Sequence, residues 1–140
     1  MPSAVIDLTE MVRMAMRRPE RSRLFQAWEK QSFTWVMSEP MLDEFIEVTD
    51  RQKFRRLIRP FVRDTIVDAL RARACVVEPA LEFPHCRDPQ DDGVIATAVA
   101  ACPCYLVTAD RDLYDDADLM LALRDLKVHV VQAGEFLDTL

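Results

Sequence analysis

The stretch Arg87-Asp88-Pro89-Gln90-Asp91-Asp92-Gly93-Val94-Ile95-Ala96-Thr97-Ala98, running on to Tyr105-Leu106-Val107-Thr108-Ala109-Asp110-Arg111-Asp112-Leu113, decides how this chain is read. It reads as an acidic turn, a helix, a buried strand and a second acidic turn. Asp91 or Asp92 opens the helix, where a carboxylate suits both the cap and the macrodipole. The small residues from Ile95 to Ala101 let that helix lie close against a sheet. Tyr105 to Thr108 has the aromatic and β-branched composition of a central strand. Asp110 and Asp112 then fall at its carboxyl end, where open α/β sheets bind ligands.

Working outward, the segments alternate. Ala4-Val5-Ile6 is a short apolar run ending in Asp7, and a helix with an apolar face runs from Met11 to about Arg18-Pro19. Ser22 caps a second helix carrying Leu24, Phe25 and Trp28. Phe33 to Met37 reads as a strand, after which Ser38 caps a helix with Pro40 in its first turn. Met41, Leu42, Phe45 and Val48 share one face of that helix, and Glu44 sits beside it. A basic helical patch at 51–59 precedes an amphipathic helix from Phe61 to Arg73, with Phe61, Thr65, Ile66, Val67 and Leu70 expected inside. Ala74 to Val77 is a third strand and 78–87 a loop. A short helix before Leu126, a last strand from Lys127 to Val131 and a terminal helix from Ala133 complete the chain. This alternation predicts a parallel sheet covered on both faces, in a single domain spanning 1–140.

Composition sets the frame. Of the 140 residues, half are hydrophobic and 30% charged, with a net charge of −6. No apolar run approaches the ~18–20 residues of a membrane span, the start from Met1 to Ile6 lacks the basic and long apolar regions of a signal peptide, and the four cysteines are expected reduced, so a cytoplasmic location is expected. The charge is uneven. Residues 1–73 hold 14 Lys/Arg against 11 Asp/Glu, whereas residues 74–140 hold 4 against 13. A polyanion fits the first half and a cation the second.

In a parallel sheet Asp7 and Asp110 end their strands on one edge, and the helices carrying Glu44 and Asp92 begin at that same edge. Four segments thereby converge their carboxylates, and each close pair costs about 1–4 kcal/mol unscreened at surface-like dielectric. An all-oxygen cluster selects a hard divalent ion, Mg²⁺ or Mn²⁺. Phosphodiester hydrolysis by metal-activated water fits such a site. His85-Cys86 and Cys102-Pro103-Cys104 lack the paired Cys-x-x-Cys spacing of a zinc knuckle and read as core or loop thiols. Trp28 and Trp35 read as packing residues.

The acid after the first strand, the Ser38–Val48 helix with Glu44, the Asp-Pro-x-Asp-Asp turn and the Val107-Thr108-x-Asp110-x-Asp112-Leu113 segment together resemble the PIN-domain nucleases. The resemblance is closest to the bacterial toxins of toxin–antitoxin pairs. It covers nearly the whole chain and implies a three-layer α/β/α sandwich with a central parallel sheet. As to function, it implies a Mg²⁺- or Mn²⁺-dependent endoribonuclease that acts on RNA, forms homodimers and is blocked by an antitoxin protein. Position by position, Asp7, Glu44, Asp92 and Asp110 match the family's metal-binding acids, with Asp112 as a fifth. Asp91 is the rival of Asp92, and the place of Ile95-Ala96 favours Asp92. Thr9 and Thr108 are supporting hydroxyls. Where the family carries a small hydroxyl residue after the first aspartate, this chain has Leu8, which suggests the alternative of a weakened scaffold or binding module. Arg51, Lys53, Arg55, Arg56 and Arg59 are candidate contacts to the RNA backbone.

Overall fold

The computed structural model describes all 140 residues. Five strands form one parallel sheet: β1 (Ser3–Ile6), β2 (Thr34–Met37), β3 (Cys75–Val76), β4 (Cys104–Val107) and β5 (Val128–Val131). Their spatial order is β3-β2-β1-β4-β5. The chain builds outward from β1 to β2 and β3, then returns to place β4 on the other side of β1. The order therefore reverses between β1 and β4, and the crevice beyond their carboxyl ends is the switch point where open α/β sheets take ligands. Val5 stands opposite Val36 on one side and Leu106 on the other, which fixes the register of the central three strands.

Alternation along these strands divides the core in two. Ala4, Ile6, Trp35, Met37 and Val107 face one way. They pack against helices α1 (Leu8–Arg17), α2 (Arg23–Glu29), α3 (Glu39–Asp50), α5 (Val62–Arg73) and α9 (Ala133–Asp138) through Met11, Trp28, Phe45, Leu70 and Phe136. Val5, Val36 and Leu106 face the other way, onto Ile95 and Ala98 of α6 (Asp92–Ala101) and Leu119 and Leu123 of α8 (Ala117–Asp125). Two further short helices, α4 (Gln52–Arg55) and α7 (Arg111–Tyr114), lie in the connections. The architecture is the three-layer sandwich expected from the alternation of segments. Trp28 and Trp35 meet edge to face in its core, their ring centroids 5.0 Å apart.

Three local expectations are corrected. Phe61 does not turn inward; it is 80% exposed, sits just before α5 with a positive φ of 70°, and takes Thr65 to the surface with it. Ile66, Val67 and Leu70 suffice to fill that face. Ser38 precedes α3 without capping it; its buried hydroxyl meets the Thr97 hydroxyl at 2.8 Å and ties β2 to α6. The basic patch is helical only over Gln52–Arg55.

Candidate active site

The carboxyl edge of β1 and β4 is held by one hydroxyl. Thr108, directly after β4, donates to Asp7 Oδ2 at 2.7 Å and accepts from the Asp110 backbone N–H at 3.0 Å. Asp110 Oδ1 in turn accepts from the Asp112 N–H at 2.9 Å and so caps α7. Tyr114 donates to the Thr108 carbonyl at 2.9 Å, fastening the turn from below. A threonine is needed here because a valine of the same shape has neither the donor for Asp7 nor the acceptor for Asp110.

Asp7 is only 7% exposed, and burial pushes its carboxyl above the ordinary range. The bonds from Thr108 and from the Leu8 N–H oppose that rise, while the charges of Asp110 and Glu10 add to it. Asp91 is perturbed further. Burial, a hydrogen bond shared with Asp110 and the charges of Asp110 and Asp7 push its carboxyl up to about 7. Glu44 on α3 is also raised, first by burial and then by Glu47 and Asp7, with Arg51 opposing. Asp7, Thr9, Glu44 and Asp91 line a cleft of ≈ 90 Å³, with Leu8, Met41 and Val94 as its apolar wall. The edge thus gathers more negative charge than it can hold ionised without a counter-charge.

Asp7, Glu44 and Asp110 stand where the sequence placed them. Asp92 does not. The residue turned toward Asp7 and Asp110 is Asp91, whereas Asp92 Oδ2 lies 3.4 Å from His85 Nδ1 and its Oδ1 is buried without a partner. The reason is helical phase. Val94, Ile95 and Ala98 are the α6 residues packed with Val5 and Leu106 of the sheet, and Asp91 is three, four and seven positions before them, on the same face. One residue on, a side chain has rotated by about 100°. Residues 94–101 are apolar at every position but Thr97, so the sequence alone carries no phase that chooses between the two acids.

Asp112 accepts at its Oδ1 from Arg87 Nε at 2.9 Å. It keeps a carboxylate oxygen within 4.8 Å of those of Asp88 and Asp91. Asp88, which sequence reasoning passed over, accepts from the Gln90 N–H and starts the turn that delivers Asp91. Cys86 donates weakly to Asp91 Oδ2 at 3.5 Å, and Cys104 donates to the Ala98 carbonyl at 3.3 Å. Two of the five cations of the basic patch are ion-paired. Arg55 pairs with Asp50 at 2.7 Å and Arg51 with Glu47 at 3.4 Å, and Lys53 lies over the Phe54 ring. Arg56 and Arg59 are exposed and unpaired.

Asp7, Asp91, Asp110 and Glu44 present only carboxylate oxygen, without nitrogen or sulfur, and they include groups whose ionisation is opposed. That donor set fits a hard divalent cation. The chain matches the family model described as PIN domain over residues 3–112. No curated protein matches it.

Proposed function

The chain belongs to the PIN-domain family, whose members are generally nucleases using a divalent metal, and from that premise we propose that it is a Mg²⁺- or Mn²⁺-dependent endoribonuclease. The observation that carries this reading is the convergence of Asp7, Asp91 and Asp110 at the sheet's switch point, with the Asp91 carboxyl pushed up to about 7. Asp7, Asp91 and Asp110 would hold the cation, with Glu44 across the cleft. A bound divalent cation would supply Lewis-acid chemistry, polarising a phosphoryl oxygen and lowering the pKa of water. The chain's own residues do the rest. Thr108 holds Asp7 and the Asp110 backbone in fixed relation, so the acids need no reorganisation as substrate arrives. Asp91 releases its proton when a cation replaces it. Glu44, with its raised carboxyl, takes a proton from the attacking water at a carboxylate oxygen. Asp112, which accepts from Arg87, stands within reach of Asp91 and Asp88 and would serve as a further oxygen donor.

RNA rather than DNA as substrate, a toxin's role, restraint by an antitoxin protein and a homodimeric state are supported by the sequence resemblance. Arg56 and Arg59, the unpaired cations of the basic patch, would then contact phosphates. A second reading, a weakened binding module, draws on Leu8, which packs partly against the core where a hydroxyl residue would reach the cleft. Incubation of single-stranded RNA with the parent protein and Mn²⁺ separates the two. Cleavage abolished by EDTA and by Asp7→Asn supports the nuclease; cleavage surviving in a folded Asp7→Asn variant refutes the assigned centre. A parent inert on RNA, with activity gained in Leu8→Thr, favours the weakened module.

A further inference from the structure

A larger cavity than the acidic cleft, ≈ 260 Å³, opens between α1, the start of α2 and α9. Arg13, Arg17, Arg21 and Arg23 line it. Arg13 is committed to Glu10 at 3.0 Å, but Arg17, Arg21 and Arg23 make no ion pair with any carboxylate. Three unpaired guanidinium groups surround one cavity whose single lining carboxylate, Glu10, is paired with Arg13, in a chain of net charge −6. Its floor is apolar, formed by Met14, Leu24 and Leu137. A cationic rim over an apolar floor suits a ligand that alternates phosphate with flat apolar rings, better than a bare anion.

The cavity and the acidic cleft are separate, and both are lined by residues of α1. That helix begins one residue after Asp7, and Glu10 in its first turn both lines the cavity and acts on the Asp7 carboxyl. At 1.5 Å per residue, Arg13 and Arg17 lie about 9 and 15 Å along the helix from Asp7. That is a distance of roughly three to four stacked nucleotides at ~3.4 Å each.

We propose that Arg17, Arg21 and Arg23 form a phosphate track that grips a single nucleic-acid strand about three to four nucleotides to one side of the scissile bond. This rests on the nuclease reading for its substrate and deepens it by assigning the strand's path. The four arginines fall within residues 13–23, across three successive segments, and Arg17, Arg21 and Arg23 have no ion-pair partner, whereas Arg51 and Arg55 of the patch at 51–59 pair with Glu47 and Asp50.

The test is fluorescence anisotropy with labelled single-stranded RNA oligonucleotides in EDTA, so that binding is read without cleavage. The triple variant Arg17→Ala/Arg21→Ala/Arg23→Ala should weaken binding roughly tenfold or more, and three lost phosphate contacts should reduce the salt slope by about 2. The corresponding triple lysine variant should retain most of the slope, which separates charge from any structural role. Unchanged affinity and slope in the alanine variant overturns the track, as does loss confined to Lys53→Ala/Arg56→Ala/Arg59→Ala. Affinity that fails to rise with oligonucleotide length identifies a single-anion pocket and also overturns it. Hydrolysis of bis(p-nitrophenyl) phosphate by the parent with Mn²⁺ reports the acidic centre alone. Its absence alongside a positive binding result would refute the nuclease reading and leave the track standing.

Discussion

Replacing Asp91 should make the metal-free protein more stable while removing its response to metal, and replacing Asp92 should do neither. The Asp91 carboxyl moves from 3.8 to about 7 on folding. At 1.36 kcal/mol per unit, the undiscounted penalty for ionising it at about pH 8 is ~4 kcal/mol, and solvent screening at the cleft mouth reduces this to about 1–2 kcal/mol. Asp91→Asn removes that charge yet keeps an N–H that can donate to Asp110, as the protonated acid does. Thermal unfolding in EDTA near pH 8 should therefore show a gain of roughly 3–8 °C for a chain of this size, vanishing near pH 4. With Mn²⁺ at ~100 times its Kd the parent should gain about 2.7 kcal/mol, and the Asp91→Asn variant nothing. Asp92→Asn should change metal-free stability by no more than ~0.5 kcal/mol and keep the parent's response to Mn²⁺. The phase argument for Asp91 fails if Asp92→Asn abolishes the Mn²⁺ shift while Asp91→Asn retains it, or if Asp91→Asn destabilises the metal-free protein at pH 8.

The same carboxyl makes cation affinity depend on pH. Because its folded value is raised, Asp91 contributes stability that is fully present below its unfolded value near 4 and is lost as pH rises through about 7. Cation binding requires the ionised form, so apparent affinity should fall about tenfold per unit below pH 7 and level off above it. Titrations in two buffers of different ionisation enthalpy would show the released proton; no dependence on buffer contradicts this. Thr108→Val should cost about 1–3 kcal/mol, since it leaves Asp7 and the Asp110 N–H without their shared partner, and should weaken cation binding as well. Equal chemical denaturation midpoints for parent and variant would show that Thr108 does not bind the two strands' ends together. Arg87→Ala should shift stability by only ~0–1 kcal/mol, because its pairs with Asp112 and Asp115 are exposed.

Much of this was legible before any coordinates. Short β-branched runs such as Ala4–Ile6 and Tyr105–Val107, separated by helical periods, specify a buried parallel sheet with little ambiguity. Once the strands are parallel, Asp7 and Asp110 must share an edge. What failed was finer than an element. Asp91 and Asp92 are adjacent, both suit a helix start, and only the phase of Val94, Ile95 and Ala98 separates them; a 3₁₀ turn over Pro89–Asp91 supplies the final rotation. Phe61 misled because hydrophobicity argued for burial while its backbone, at positive φ, turns it to solvent. Ser38 has the identity of a cap, but a tertiary partner, Thr97, claims its hydroxyl. The arginines at 13, 17, 21 and 23 are close in the chain, but the cavity they line is closed only where Ala133, Gly134 and Leu137 of the distant α9 fold against them.

The central claim is that the sheet's carboxyl edge holds a catalytic divalent cation between Asp7, Asp91 and Asp110. Calorimetric titration of Mn²⁺ at about pH 8 tests it most directly, where all three acids can ionise. Saturable binding by the parent, lost in both Asp91→Asn and Asp110→Asn, is the predicted result. Parent-like binding in those variants, or none by the parent even with a non-cleavable RNA analogue present, would contradict it.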